Sequence, residues 1–288
     1  MGIIIDVLEA WIKNLLINGI MGNLYGLFDT VNARIGEIAT QVGTPPAAWN
    51  PGVFSLIRNL SETVVLPIAG LILTFMATYE FIHLIIDQNN LNQIDTWIFF
   101  KWIFKTFIAV MILSNTFNIV MGVFDVAQSV VNRAGGIITS STAVAPLDAA
   151  SLDGSLWTLG VGQLFGLWFQ SVIVGITMTA LNIVIFIIVY GRMIEIFLLT
   201  SLAPIPLATL SNREFGGMGQ NYLKSLLAIA FQALLILVCI GIYAVLIQSI
   251  ATSGDPIGSI WETLGYTVLL CFTLFKTGSL SKSIFHAH

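Results

Sequence analysis

Five stretches of this sequence are apolar over about 20 residues or more, the length that an α-helix needs to cross the hydrocarbon core of a bilayer. Charged residues make up only 9% of the 288, whereas a soluble domain carries about 25%. Too few polar side chains are therefore present to cover a globule of this size in water. The composition excludes an ordinary soluble enzyme, a disordered chain and a general nucleic-acid-binding protein. It predicts an all-α, polytopic membrane protein with spanning helices near 62–86, 102–125, 164–190, 222–250 and 258–280.

Residues 3–41 differ from the spanning stretches, because polar side chains recur along one face of a predicted helix. Asp6, Glu9 and Lys13 follow one another at three- and four-residue steps, and apolar residues occupy the opposite face. This pattern predicts an amphipathic helix that lies in the membrane interface, with Trp11 as an anchor. A second polar-striped helix is predicted over 23–41.

Proline and glycine divide the rest of the chain into segments. Residues 44–52 contain three prolines and predict a linker, with Trp49 as a second interfacial anchor. Between the second and third spans, Gly135-Gly136, a run of threonine and serine, and Pro146 predict a long extramembrane loop. The predicted organisation is interfacial helices and linker over 1–58, a transmembrane hairpin over 59–125, the central loop over 126–163 and a transmembrane core over 164–288.

The apolar segment 194–210 decides the topology, because Pro204 and Pro206 lie within it. If it crosses the membrane, the chain has six spans; if the helix breaks at 202–206, the segment is re-entrant and five spans remain. Each proline removes an amide donor and clashes with the preceding turn, which favours the break. A count of lysine and arginine favours six spans slightly, but part of that advantage comes from residues beyond the roughly 15–20 that set orientation. We therefore predict about five spans and a proline-broken re-entrant segment.

Several polar side chains lie within or beside the predicted spans, where they are costly to expose to lipid. Arg192 and Glu195 share a helix face at a spacing of three residues. That spacing suits either a structural ion pair or groups along a water-accessible path. Asn182 and Gln232 suit either hydrogen bonds between helices or the wall of a lumen.

Motifs that carry chemistry are missing from the sequence. There is no Gly-x-x-x-x-Gly-Lys-Ser/Thr loop for nucleotide binding, and two of the three histidines lie in the last three residues. Glu80 and His83 form a single Glu-x-x-His pair, with no second pair to complete a metal site. We expect them to be a pair of polar side chains near the membrane edge. Cys239 and Cys271 lie in apolar runs and suit buried positions. We expect no enzyme activity, no metal site and no cofactor, although the apolar surface leaves room for bound lipid.

The stretch from Arg192 to Leu210, which continues through 215–224 to about Leu246, resembles a known family. It is similar to the TrbL-type inner-membrane subunits of type IV secretion and conjugation systems, as found on conjugative elements of low-GC Gram-positive bacteria. The shared pattern is a long helix, a break centred on Ala-Pro, a short polar loop with basic residues and a second long helix.

The resemblance implies a multi-pass subunit of the bacterial cytoplasmic membrane with an outward-facing central loop. It implies a homo-oligomeric channel or scaffold that passes DNA or protein, with energy from partner ATPases and contacts to other inner-membrane subunits. Transferred DNA would touch the chain transiently if this subunit lines the lumen, and phospholipid surrounds it.

Two alternatives come from other classes of protein. A secondary transporter or small-solute channel would place Glu195 or Glu80 at a binding site in a discontinuous helix, but the sequence has no visible internal repeat. A purely structural protein would use its polar side chains only to hold helices together. The first hypothesis has the chain pass a polymer, the transporter alternative has it move a small solute, and the structural alternative has it move neither.

Overall fold

The computed structural model describes residues 2–86, 96–141, 149–251 and 256–287. Within these ranges the regular structure is helical. A π-helical stretch, Ser61–Val65, joins the third helix to the fourth. The helices are α1 (Gly2–Val42), α2 (Pro46–Trp49), α3 (Pro51–Leu60), α4 (Leu66–Ile86), α5 (Thr96–Ser114), α6 (Thr116–Ser141), α7 (Ala149–Trp157), α8 (Val161–Leu202), α9 (Pro204–Ala208), α10 (Gly216–Ala251) and α11 (Pro256–Ile284).

Five helical segments of the described chain are long and apolar enough to cross a membrane, as predicted. The prediction of an all-α, polytopic membrane protein is therefore confirmed. Segment 194–210 forms no separate spanning helix, because its first part is the end of α8. The five segments are Pro51–Ile86, Trp97–Ser114, Val161–Leu202, Gly216–Ser249 and Trp261–Ile284.

The second span lies earlier in the chain than the predicted 102–125, because the helix is interrupted at Asn115. The side-chain amide of Asn115 donates to the carbonyl of Met111 at 2.9 Å. The hydroxyl of Thr116 donates to the carbonyl three residues before it at 2.8 Å. Such bonds from side chain to backbone compete with the helical pattern. The membrane-crossing segment therefore ends at Ser114, and α6 begins a new helix.

The predicted central loop over 126–163 is largely helical, which corrects the sequence-based prediction. Residues 126–141 continue α6, and α7 occupies Ala149–Trp157; the part at 142–148 lies outside the described residues. Gly135 and Gly136 do not stop the helix, because glycine costs only about 1 kcal/mol relative to alanine and packing can offset that cost. At Gly135 a Cβ would lie 3.7 Å from a methyl group of Leu237, an ordinary van der Waals distance, so α10 packs close to the helix there.

The N-terminal segment forms one continuous helix, where two helices were predicted. No proline interrupts α1, and Gly19 packs tightly, since a Cβ there would lie 2.8 Å from the Trp168 ring. Trp11 is 62% exposed. Its role as an interfacial anchor stays a prediction.

The predicted linker at 44–52 contains the short helix α2. The next helix, α3, begins at Pro51, and the Asn50 side chain caps it by accepting a hydrogen bond from the Val53 amide at 3.0 Å.

The chain divides into two compact units. The first unit comprises Met1–Gly43, Asn132–Val189 and Leu235–Thr277. Polar contacts join its helices: Asn23 donates to the Ser171 hydroxyl at 2.8 Å, and the buried Tyr243 and Thr267 hydroxyls lie 2.6 Å apart. Such side-chain bonds between helices stabilise packing in lipid by about 0.6–2 kcal/mol each.

The second unit comprises Thr44–Val131, Tyr190–Leu234 and Gly278–His288. One apolar cluster of this unit joins α6, α8 and α10, with Ala203 at the end of α8. Trp49 packs against the cluster, and its ring centroid lies 5.7 Å from that of Tyr190 and 5.8 Å from that of Phe197. The fully buried members of the cluster are Val120, Phe124, Ala127, Met193, Ile196, Ala203, Leu226, Ile229 and Ala230.

We predict that Gly219→Ala destabilises the second unit. A Cβ at Gly219 would lie 2.6 Å from the Pro206 carbonyl oxygen, a backbone atom that cannot rotate away. Overpacking of this kind costs about 1–3 kcal/mol. Gly217, in the same helical turn, has nothing within 4 Å of its Cβ position and provides the matched control. Unfolding in mixed detergent micelles should show Gly217→Ala at or above the wild-type stability; equal effects of the two substitutions would contradict the prediction.

Candidate functional site

The proline break is the first part of the candidate site. The helix α8 ends at Leu202, and α9 begins at Pro204, within the stretch 202–206 where a break was predicted. Proline has no amide hydrogen, so the carbonyl of Thr200 cannot receive the usual bond from residue 204. The amide of Ala203 takes that carbonyl instead, at 3.3 Å, which tightens the last turn.

The short helix α9 is covered by apolar side chains of the second unit. Ala208 of α9 packs in one cluster with Ala69 and Leu73 of α4 and with Ala109 and Leu113 of α5. Irregular backbone at membrane depth is tolerated only where protein or a water-filled cavity receives it. Here protein receives it, which explains how the chain accommodates two prolines within an apolar segment.

A set of polar side chains, which we name the polar clamp, holds the turn that follows α9. It consists of Tyr79, Glu80 and His83 at the end of α4, Lys105 of α5, and the turn 212–214. The Glu80 carboxylate is its centre. One oxygen lies 2.6 Å from the Lys105 ammonium, and the other accepts the Arg213 backbone amide at 3.1 Å. The α4–α5 hairpin and the turn after the proline break thus share one carboxylate.

The second carboxylate of the polar clamp is Glu214. One of its oxygens accepts the Tyr79 hydroxyl at 2.8 Å, and the other lies 3.8 Å from His83 Nε2. The Tyr79 and His83 rings are in contact, with centroids 4.5 Å apart. Glu80 and His83, predicted as a polar pair, therefore both belong to the polar clamp but contact different residues of the turn.

The conformation of the turn depends on Asn212. Its side-chain oxygen accepts the amides of Glu214 at 2.9 Å and Phe215 at 3.0 Å, which caps the approach to α10. Its side-chain nitrogen donates to the carbonyl of Met76 on α4 at 3.4 Å. A single buried asparagine therefore fixes both the shape of the turn and its attachment to α4.

The predicted residue Arg192 is buried, with 6% of its surface exposed. Its Nε donates to the carbonyl of Ile229 on α10 at 3.4 Å, the single hydrogen bond that the guanidinium makes within the described residues. Glu195, three residues further on, forms its ion pair with Lys282 of α11 at 3.2 Å. The spacing of Arg192 and Glu195 therefore did not predict the partner of the carboxylate.

Gln232 lies one turn after Ile229 on α10 and is 7% exposed. It packs where α10 and α11 approach closely, since a Cβ at Gly278 would lie 3.3 Å from its side-chain nitrogen. Ser281 of α11 donates to the carbonyl of Ala228 one turn away. The structure thus brings Arg192, Glu195 and Gln232 together in the second unit, at the contacts between α8, α10 and α11.

Asn182 belongs to the first unit and does not join that group. It is partly buried and lines a cavity of about 380 Å³ between α1 and α8. Asn23, Ser171 and Thr179 line the same cavity, together with the open faces of Gly22, Gly26 and Gly175. Trp49, the other predicted anchor, is half-buried in the second unit, so its interfacial role stays a prediction.

Sequence analysis missed Lys105, Asn212 and Glu214 as site residues. The sequence does contain a signal for Lys105. In the predicted hairpin, Glu80 lies near the end of the first helix and Lys105 near the start of the second, so antiparallel packing brings the two side chains to a similar level. The three consecutive polar residues 212–214 directly after a proline break also set that turn apart from its apolar surroundings. Neither pattern identifies the partner on α4, which depends on tertiary packing.

We predict that Glu80→Ala destabilises the second unit by about 2–4 kcal/mol, because hydrogen bonds to charged groups contribute about 1.5–3 kcal/mol each. The substitution leaves the Lys105 ammonium and the Arg213 amide without their acceptor. Glu62 provides the matched control, since its pair with Arg58 at 2.9 Å is exposed and such pairs contribute about 0–1 kcal/mol. Reversible unfolding in mixed detergent micelles measures both variants. A loss for Glu80→Ala no larger than that for Glu62→Ala would show that the polar clamp contributes little.

We predict that Arg192→Met leaves the free energy of unfolding unchanged or raises it by about 1–3 kcal/mol. One long hydrogen bond and the attraction of Glu195 offset only part of the desolvation cost of the Arg192 guanidinium, and an apolar side chain of similar volume avoids that cost. Arg58→Met, which removes an exposed ion pair with Glu62 and a contact with the Phe117 ring, should instead lower stability by about 1 kcal/mol. A loss above about 1 kcal/mol for Arg192→Met would show that the guanidinium stabilises the fold.

Comparison with known proteins identifies the family. A family profile described as "TrbL/VirB6 plasmid conjugal transfer like protein" matches residues 31–204, more than half of the chain. No curated protein and no solved structure matches. The match begins within α1 and ends at the proline break, so it overlaps the stretch that carries the sequence resemblance only over 192–204. The chain belongs to the TrbL/VirB6 plasmid conjugal transfer-like family and is a multi-pass membrane subunit of a conjugal transfer, or type IV secretion, system.

Proposed function

We propose that this subunit forms a channel or scaffold in the bacterial cytoplasmic membrane through which DNA or protein passes. Several copies assemble with other inner-membrane subunits of the secretion system, and partner ATPases supply the energy. The role is non-enzymatic, in keeping with a sequence that contains no nucleotide-binding loop. Family membership supports the place in conjugal transfer, and the polar clamp supports the mechanical role.

The polar clamp is the observation that carries the proposal. A subunit that borrows energy must pass a change made at one surface to helices that cross the membrane. Glu80 connects α4, α5 and the turn before α10 through a 2.6 Å ion pair and a 3.1 Å hydrogen bond. A displacement of the turn is therefore transmitted to two spanning helices. The side chain of Glu80 is only 14% exposed, so water competes weakly with these contacts.

The buried polar residues divide between two roles in this proposal. Arg192 and Gln232 hold helices together, since each is less than a tenth exposed and contacts a neighbouring helix. Asn182 and Glu195 remain the candidates for a path, because Asn182 lines a cavity and the Glu195 side chain is 44% exposed. A weakly charged path suits a polyanion, since a strongly basic lumen would retain phosphates. At the N-terminus, α1 lies in the interface with Trp11 as its anchor.

The experiment that tests the proposal is a clean in-frame deletion of the gene, with complementation in trans and the transfer frequency of the mobile element as the readout. We expect transfer to fall by orders of magnitude with normal growth, and the intact copy to restore it. Unchanged transfer would overturn the proposal. Uptake of a small solute by the purified protein in liposomes would then support the secondary transporter.

A second arm of the experiment tests the polar clamp. We expect Glu80→Ala to reduce transfer at least tenfold at normal protein abundance, because the turn after the proline break is no longer coupled to the α4–α5 hairpin. Glu62→Ala, on the same span, should transfer like the wild type. Normal transfer by a stable Glu80→Ala protein would exclude the mechanical role, even if the deletion abolishes transfer.

A further inference from the structure

Three charged side chains of the second unit lie together where α8 contacts α10 and the last turns of α11, and one of the three is a carboxylate. Arg192 is buried, and its Nε donates to the Ile229 carbonyl at 3.4 Å. The Lys282 ammonium lies 3.2 Å from one oxygen of Glu195. Two positive charges therefore lie beside one negative charge, and in this structure the negative charge is paired with the more exposed of the two.

Arg192 and Glu195 both have hydrogen-bonding capacity that the described residues do not use. A guanidinium has five N–H donors, and here only the Nε donor makes a bond with a described residue. The second oxygen of the Glu195 carboxylate accepts no bond from a described residue. A buried charge recovers its desolvation cost only if further hydrogen bonds satisfy its remaining donors. The buried guanidinium therefore gains from any second acceptor that reaches it.

The helical backbone of α8 places the unused groups within reach of each other. Residues three apart on an α-helix are neighbours on one face, with Cβ atoms about 5–6 Å apart. The Glu195 side chain is 44% exposed, so it has room to change rotamer and turn from Lys282 toward Arg192 while α8 stays in place. A guanidinium can then hold both carboxylate oxygens, which is a strong arrangement for an ion pair.

The last turns of α11 determine whether the Lys282 ammonium is present at this contact. Ser281 donates to the carbonyl of Ala228 on α10, and the Phe285 ring centroid lies 5.6 Å from that of Phe231. Lys282 follows Ser281 directly, so its ammonium is positioned by the same docked turn. A movement of this turn away from α10 takes the ammonium away from its carboxylate.

We propose that Glu195 exchanges partners: it pairs with Lys282 while the last turns of α11 are docked, and with Arg192 when they are withdrawn. Lys282 leaves the carboxylate half-exposed and hydrated, whereas Arg192 offers stronger hydrogen bonds at a drier position but requires the carboxylate to lose water. Loss of the ammonium shifts this balance toward Arg192. The position of α11 is thereby passed to the contact between α8 and α10. The inference is independent of the channel role, because it concerns only the contacts of three helices.

The first test modifies Glu195 in the full-length protein in detergent micelles with a water-soluble carbodiimide and a small amine, read by peptide mass spectrometry. Removal of a lysine partner ordinarily leaves a carboxylate more accessible, whereas Lys282→Met should here turn Glu195 inward. We expect its modification to slow about tenfold relative to that of the exposed Glu62, because a carboxylate that is outward about a tenth of the time reacts in proportion. Adding Arg192→Met should restore the wild-type rate. Modification of Lys282→Met as fast as that of the wild type, or faster, would overturn the proposal.

The second test is reversible unfolding of the same variants, in which the effect of Arg192→Met should depend on Lys282. In the otherwise wild-type chain we expect stability to stay unchanged or to rise. In Lys282→Met the same substitution removes a charged pair, so the folding equilibrium constant should fall about tenfold or more. Lys224→Met, at an exposed lysine of α10, is the matched background, in which Arg192→Met should act as in the wild type. Equal effects of Arg192→Met in the two lysine backgrounds would contradict an exchange of partners.

A Glu195→Gln background separates the exchange of partners from simple repulsion between the two cations. Repulsion between Arg192 and Lys282 would also make their substitutions non-additive, and it would do so without the carboxylate. We expect the non-additivity to disappear in Glu195→Gln, because a neutral amide forms neither ion pair. Non-additivity that persists there would show that repulsion links the two cations, and would overturn the proposal.

Discussion

A helix that breaks inside an apolar segment leaves backbone groups that hydrocarbon cannot satisfy, and the second unit is organised around that constraint. Pro204 and Pro206 remove the amides that would complete the end of α8. Two consequences follow: the exposed backbone must be covered, and the chain must be returned into the next long helix. The apolar cluster with Ala208 meets the first requirement, and the turn built on Asn212 meets the second.

The helix α4 serves both requirements with one face. Leu73 contacts the apolar cluster around α9. The Met76 carbonyl accepts from the Asn212 side chain, and the Glu80 carboxylate accepts from the Arg213 backbone amide. These positions follow one another at steps of three and four residues, so they form a continuous stripe. The neighbouring stripe, with Gly70 and Thr74, lines a groove between α4 and α5. A substitution on α4 can therefore affect either the proline break or this groove, depending on its position along the helical repeat.

The sequence predicts features that are governed by short-range chemistry. Apolar length predicts the five spanning segments, and the lack of an amide in Pro204 predicts the break. Two predicted boundaries were wrong. Asn115 ends a helix within an apolar run, and α6 continues through Gly135-Gly136, where glycine was taken as a sign of a loop. The partner of Glu80 in the turn after α9 could not be predicted, because it depends on which helices α9 packs against.

Polar residues in the membrane part of this chain have two physically different structural roles. Glu80 and Asn212 satisfy backbone amides and fix irregular structure, so their removal leaves other groups unsatisfied. Arg192 and Gln232 sit inside regular helices whose backbone is already satisfied, and their removal costs only their own contacts. Glu80 and Asn212 make these contacts in one conformation of the proline break. In the function proposed above, they are therefore the residues through which a force from a partner ATPase reaches the spanning helices.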